Sequence, residues 1–151
     1  FVAKVVARKR VRRREIALVA GSIHNIKPTL HGKQLPMRVV RAAADDPGEL
    51  QGQLPVDVVG YTCMEHDCLY RGYHQAVRPG DFVVFENVGA YTVVMKPPFI
   101  RPAPAILVCD EKGSFEVARR AECWDDVFGA FNFVEPRKAV PIRIQPRAVR
   151  S

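Results

Sequence analysis

Long apolar runs are missing from this chain: no stretch approaches the ~20 residues needed to span a bilayer. The amino end, Phe1-Val2-Ala3-Lys4, has no basic region followed by an apolar one, so nothing reads as a secretion signal. It also lacks an initiator Met, which predicts a fragment of a longer protein. Cysteine is scarce. Four residues (Cys63, Cys68, Cys109 and Cys123) among 151 do not make a disulfide scaffold. Without a secretion signal the expected compartment is a reducing cytoplasm, and Cys68, Cys109 and Cys123 read as small buried hydrophobes. Cys63, His66, Cys68 and His74 match no standard zinc spacing, so no metal is expected. There is no Gly-x-Ser-x-Gly elbow and no glycine-rich phosphate loop, which argues against a serine hydrolase and a nucleotide-binding enzyme.

Acidic charge is in deficit, giving a net +7, but the excess is confined to the two ends. Lys4, Arg8, Lys9, Arg10, Arg12, Arg13 and Arg14 crowd the start, and Arg137, Lys138, Arg143, Arg147 and Arg150 the tail. Residues 15–131 carry more acidic than basic side chains. A nucleic-acid surface interleaves basic residues with aromatics or presents a groove-reading helix, and neither pattern is visible. The basic start therefore reads as a solvated or partner-facing edge.

What is present is mostly β in pattern, in one domain large enough to bury a core. Phe1 to Val11 and Glu15 to Ala20 are rich in β-branched and apolar residues and stop at Gly21-Ser22. Residues 23–35, with Lys27-Pro28 and His31-Gly32, read as a loop. Met37 to Ala42 is a strand, and residues 43–48 a turn-rich insertion. Val56 to Gly60 is a short buried strand, Arg78-Pro79-Gly80-Asp81 a tight turn, and Phe82 to Val88 a strand. Ala105 to Cys109 and Phe115 to Arg119 flank Asp110 to Ser114 as a hairpin. Only Glu122 to Phe131 has helical spacing, through Trp124, Val127, Phe128 and Phe131. Beyond Phe133, residues 134–151 have three prolines and no periodicity, predicting an extended or disordered tail. Many strands with one late helix argue for a barrel or sandwich.

The chemistry gathers in residues 59–92. Cys63, between a strand end and a polar loop, sits where a thiol can enter a cleft, with His66 nearby. Tyr61-Thr62-Cys63-Met64-Glu65-His66-Asp67, then Pro79-Gly80-Asp81, then Gly89-Ala90-Tyr91-Thr92 follow in fixed order. That order resembles the C-terminal β-domain of the fold-type III, pyridoxal-phosphate-dependent amino-acid decarboxylases, a family that includes the diaminopimelate, ornithine and arginine enzymes. The resemblance runs through residues 1–131, most specifically 56–131, and includes the helix at Glu122 to Phe128.

It implies a mostly β, Greek-key-like barrel or sandwich with short helices over residues 1–133, similar to the C-terminal domain of alanine racemase. It also implies a partner (β/α)8 barrel, absent from this chain, that holds pyridoxal 5'-phosphate through a lysine. The active site would form between one subunit's barrel and the other's β-domain, which makes a homodimer and leaves the isolated chain inactive. By resemblance Cys63 is the acid that protonates Cα once carbon dioxide has left. Asp67 matches a second fixed position and is counted on the substrate side through the loop it shapes. The Tyr91 hydroxyl reaches the cofactor phosphate or the substrate beside it, and Phe99 matches an aromatic at the active-site mouth.

Two departures concern the substrate. The residue after the cysteine is acidic in the best-known relatives and binds the substrate's distal ammonium. Here it is Met64, and Glu65 is displaced by one residue, which points a side chain elsewhere. A diamine would lose a charge-assisted contact worth about 1.5–3 kcal/mol. Diaminopimelate decarboxylases carry Arg-Pro-x-x-Tyr where this chain has Lys27-Pro28-Thr29-Leu30-His31. A cation and a hydrogen-bonding ring survive at the same spacing, though lysine lacks arginine's fork. The expected substrate is an amino acid with an anionic or bulky polar tail: glutamate-like, carrier-bound or a siderophore-type conjugate. Two alternatives stand beside this. Alanine racemase shares the architecture but lacks the Cys-x-x-x-Asp string, and a free-standing β-domain would bind or regulate a partner without catalysis.

Overall fold

The computed structural model describes residues 1–27, 34–42 and 54–131; His31, the 43–48 insertion and the 134–151 tail lie outside them. Six strands form one sheet in the order β3-β6-β1-β2-β4-β5. They are β1 (Val2–Val11), β2 (Arg14–Val19), β3 (Met37–Val40), β4 (Val56–Val59), β5 (Cys68–Tyr73) and β6 (Phe82–Phe85). All neighbours are antiparallel except β2 and β4, which run parallel with Glu15 opposite Val56 and Leu18 opposite Val59.

β1 is shared by two parts of the sheet. Val2 to Lys4 pairs with β6, and Val5 to Val11 pairs with β2, with a register shift between Val5 and Ala7. A bulge at that point bends the strand and increases its twist, so the sheet curls into a half-barrel. Its two edges approach: the Gln34 side chain, just ahead of β3, exchanges hydrogen bonds with the backbone N–H and C=O of Arg71 in β5. The concave face holds the core, where Val5, Val19, Val56, Val58, Val83 and Phe85 are each 1% exposed or less. Alternation is clean where the sheet covers this core, with Ala3 and Val5 inward and Val2, Lys4 and Val6 outward. The outer half of β1 projects beyond it, and from Val6 to Val11 all but Arg8 are exposed.

The mostly β expectation holds, with three elements added. Residues 23–35 contain a one-turn helix, α1 (Ile23–Ile26), because Ser22 and Asn25 cap each other reciprocally: Ser22 N–H donates to Asn25 Oδ1 at 2.9 Å and His24 N–H to Ser22 Oγ at 3.3 Å. The Ser-x-x-Asn string is a capping box with Asn in place of Glu. Strand β5 escapes periodicity because its register against β4 shifts twice and Gly72 adopts φ 66°. A second one-turn helix, α2 (Thr92–Met95), follows Gly89-Ala90-Tyr91. Strand β6 ends at Phe85, short of Val88, where Asn87 turns left-handed at φ 56°.

The Arg78-Pro79-Gly80-Asp81 turn forms as read. Asp81 N–H donates to Arg78 O at 3.1 Å, Gly80 has φ 95°, and the turn docks on the β1 bulge through Gly80 N–H to Val5 O and Val5 N–H to Asp81 O. The late hairpin is β7 (Ile106–Cys109) with β8 (Phe115–Arg119), a separate two-stranded sheet. Asp110 Oδ1 closes its turn by accepting Lys112 N–H and Ser114 N–H. The last helix, α3 (Trp124–Phe128), is shorter than its periodic pattern. This second layer is apolar and uncovered: Leu107, Val108, Phe115 and Val117 are 54–69% exposed, and Trp124 is 49% exposed. Cys109 and Cys123 belong to it and are exposed rather than buried, since the layer does not pack into the main core. Among the described residues, no helix is long and apolar enough to cross a membrane.

Candidate active site

Because β2 and β4 are parallel neighbours, the segments that follow them leave the sheet at the same end. After β2 come Gly21, Ser22 and α1; after β4 comes the loop from Gly60 to Asp67. Tyr61 N–H donates to Gly21 O at 3.0 Å and stitches the two exits together.

Asp67 organises this corner. Its side chain is 4% exposed and both oxygens are committed. One accepts Ser22 Oγ–H at 3.1 Å and Ile23 N–H at 2.7 Å; the other accepts Thr62 N–H at 2.9 Å and Thr62 Oγ1–H at 2.5 Å. One carboxylate thus joins the start of α1 to the loop at Thr62. Its backbone closes the loop too, with Gly60 N–H to Asp67 O at 2.8 Å and Asp67 N–H to Met64 O at 3.0 Å. Gly60 is required for steric reasons, since a Cβ there would run into the Asp67 carboxylate.

Cys63 lies between two anchored residues, Thr62 held by Asp67 and Met64 through its N–H to Thr62 Oγ1 at 3.4 Å. The backbone is pinned while the thiol is exposed. Met64 is half-buried, and Glu65 and His66 are exposed. The arrangement presents a thiol outward from a fixed base, which a positioned acid requires. Cys68 differs: it is half-buried in β5, its thiol donates to Tyr70 O at 3.4 Å, and burial pushes that thiol up from its ordinary range.

Lys27 closes α1, its N–H donating to Ile23 O at 2.7 Å, and is half-buried at the edge of the same corner. His31, read with it as a pair, lies outside the described residues.

The third segment runs from Gly89 to Arg101. Gly89 has φ 118° with open space where a side chain would stand, so a ligand can approach the backbone closely. Tyr91 is left-handed at φ 65°, precedes α2, and is 66% exposed. A tyrosine held in that region costs conformational energy, and such strain gathers at ligand clamps. The tyrosine and the bare backbone of Gly89 both face open space. Lys96 turns back and donates to Pro97 O and Arg101 O, both at 3.1 Å, folding 96–101 into a closed loop. Phe99 is 40% exposed at its rim. Beside it Ile100 has φ 65°, a conformation that asparagine tolerates and a β-branched residue resists.

Three residues to which the motif reading gave no role complete the joint. The Arg101 guanidinium lies over the Tyr61 ring at 5.0 Å, clasping the 96–101 loop to the cysteine loop. Burial pushes the Tyr61 hydroxyl up, opposed by Arg101. His24, on α1, is held below its ordinary value by burial; nearby Asp67 opposes this, and His66 and Lys96 add to it. Segments 22–27, 60–67 and 91–101 therefore converge at one end of the half-barrel. In sequence Tyr61 is only the aromatic that opens the cysteine string and Arg101 a lone cation after Phe99-Ile100, signals too common to pair.

Comparison with known proteins follows the same lines. A family model described as the C-terminal sheet domain of pyridoxal-dependent decarboxylases matches residues 1–89. An L-glutamyl-[BtrI acyl-carrier protein] decarboxylase of Niallia circulans is 29% identical over 134 residues, covering 84% of this chain and 31% of its own length. The diaminopimelate decarboxylase of Mycobacterium bovis is 27% identical over 117 residues, covering 76% of this chain and 25% of its own. Among solved structures, the Helicobacter pylori diaminopimelate decarboxylase complexed with L-lysine superposes with a TM-score of 0.69 at 24% identity, over 85% of this chain and 30% of that one. At that identity the likeness is one of fold. The chain spans about a third or less of the length of the curated relatives it matches.

Proposed function

The chain belongs to the family of pyridoxal-dependent decarboxylase C-terminal sheet domains, and from that premise we propose that it supplies the acid and the substrate-side wall of an amino-acid decarboxylase. The observation that carries this reading is the Asp67 corner, which pins the backbone on either side of Cys63 while leaving its thiol exposed.

In this reading pyridoxal 5'-phosphate, held mainly by a (β/α)8 barrel, serves as the electron sink for the charge left on Cα when the α-carboxylate departs. Cys63 holds the proton that Cα then receives, and the pinned loop sets the approach of its Sγ. Tyr91 would help hold the cofactor phosphate through its hydroxyl, beside the open backbone of Gly89. Phe99 covers the mouth and keeps water from the reacting carbon. Asp67 acts through the loop, since its oxygens are taken by protein donors.

The barrel and a second subunit are supported by the uncovered layer of β7, β8 and α3. Leu107, Val108, Phe115, Val117 and Trp124 are each about half exposed or more, and an exposed apolar patch of this kind fits an interaction surface. A homodimer that puts one subunit's barrel against this domain of the other gives that surface a partner.

The substrate we infer carries no required distal ammonium. Met64 offers no charge, Glu65 is exposed one residue further on, and Lys27 supplies a cation at the edge of the corner, with His31 as its proposed companion. A relative acting on a glutamyl group carried by an acyl-carrier protein supports a glutamate-like or carrier-bound amino acid. The test is carbon dioxide release by the full-length protein with pyridoxal phosphate. Glutamyl substrates, free and as pantetheine thioesters, should be used at least tenfold better in kcat/KM than ornithine, lysine or diaminopimelate. Equal use of the diamines would refute the substrate reading. Release from none of them would hand the domain to the non-catalytic, partner-binding role.

A further inference from the structure

The outer β1–β2 hairpin is the strongest charged feature outside the site. Val11 pairs with Arg14 around a two-residue turn, Arg12-Arg13, with Arg12 left-handed at φ 55°. Lys9, Arg10, Arg12, Arg13 and Arg14 are all exposed. Part of this charge is neutralised internally: Glu15 takes Arg8 at 3.3 Å and Arg10 at 3.9 Å, and Asp57 takes Arg14 at 3.5 Å. Among the described residues, those pairs leave Lys9, Arg12 and Arg13 as the charges the hairpin turns outward.

The hairpin is also concave. Val11, Arg12, Arg13, Arg14 and Ile16 line an open depression of about 610 Å³ whose surface is mostly apolar. Lys9 stands opposite Ile16 and two residues from Val11, so it shares that face. Apolar surface beside exposed arginines fits a protein interface better than a solvated charge run. A phosphate chain alone would not call for the apolar surface.

We propose that this hairpin face is a docking surface for the acidic face of a carrier protein that delivers the amino acid as a thioester. The proposal rests on the carrier-bound reading of the substrate given above and names where the carrier sits. Charge complementarity selects an acidic occupant, because the hairpin turns Lys9, Arg12 and Arg13 outward. Arg14 to Gly21 is about 23 Å along an extended strand, the span that the carrier's thioester arm would have to cover. The steering is electrostatic and therefore salt-dependent.

The test compares glutamyl-acyl-carrier protein, on an acidic carrier, with S-glutamyl-pantetheine, which is the arm alone, using full-length wild type and a Lys9→Glu/Arg13→Glu variant. The expected result is a KM for the carrier substrate raised about tenfold or more, with kcat and both constants for the arm unchanged. Lys9→Arg/Arg13→Lys should restore wild-type behaviour. Identical carrier kinetics in wild type and the charge-reversed variant overturn the proposal. So does an equal loss on both substrates accompanied by loss of folding or of the dimer, which assigns the hairpin to an internal interface. A wild type that uses S-glutamyl-pantetheine as well as the carrier substrate refutes docking and leaves the acidic-tail reading standing. Failure of both substrates refutes that reading itself. Salt-sensitive retention on duplex DNA, lost in the charge-reversed variant, gives the surface to nucleic acid instead.

Discussion

Replacing Asp67 by asparagine changes a single atom type in the tightest knot of the domain, and the cost can be worked from the hydrogen bonds. Each carboxylate oxygen serves one hydroxyl and one backbone N–H: Ser22 and Ile23 on one side, Thr62 twice on the other. An amide keeps an oxygen for one pair and turns its NH2 toward the other. The hydroxyl on that side can rotate and accept, but the backbone N–H cannot. One buried N–H is then left without a partner, costing about 1–3 kcal/mol. The surviving bonds lose their ionic character, costing about 1 kcal/mol more. The total is about 3 kcal/mol, or roughly 100-fold in a local opening equilibrium. Amide hydrogen exchange at Ile23 and Thr62 reads that equilibrium directly. In Asp67→Asn one of the two amides should lose about two orders of magnitude of protection. Urea denaturation should register the same loss. Exchange at both amides within threefold of wild type would refute the claim that Asp67 ties α1 to the cysteine loop. Gly60→Ala, which drives a Cβ into the same carboxylate, should damage the same corner, and the double variant should lose less than the sum of the two.

Cys63→Ala should lower kcat of the full-length enzyme by 10²–10⁴, the usual range for a lost general acid, while the exposed position keeps stability within about 0.5 kcal/mol; unaltered kcat would remove it from proton delivery. Tyr91→Phe should weaken pyridoxal phosphate binding by about 1.5–3 kcal/mol, the range for a hydrogen bond to a charged group, measured by cofactor titration, and unchanged affinity would place the hydroxyl elsewhere. His24 gives a pH prediction. Burial holds its folded-state value below the ordinary 6.5, so as pH falls through that value the unfolded chain takes up a proton that the folded one resists. Stability should be fullest above pH 6.5 and fall on the acid side, and His24→Gln should flatten that slope in thermal unfolding at pH 5–8. Parallel curves would show that Asp67, which favours the proton, cancels burial with His66 and Lys96.

Local chemistry determined a good part of this protein. β-branched runs, Gly and Pro punctuation and the Asp110–Ser114 turn were enough to place most strands, because those signals act within a few residues. The order of the Cys63, Asp81 and Tyr91 strings was enough to point to the family. The charge segregation at Lys4 to Arg14 was equally plain. Tertiary structure decided the rest. α1 and α2 are one turn each, too short for a periodic signal, and α1 rests on a reciprocal cap that reads as loop in one dimension. β5 became a strand because β4 and the Gln34 bridge gave its backbone partners, despite Gly72. That Asp67 would clamp Ser22, Ile23 and Thr62 at once follows from the parallel pairing of β2 and β4, a contact between residues some forty positions apart. The Arg101–Tyr61 clasp is of the same kind. Sequence names the groups that can do chemistry; which of them share a corner depends on strand order, and strand order is set by how the whole sheet curls over its core.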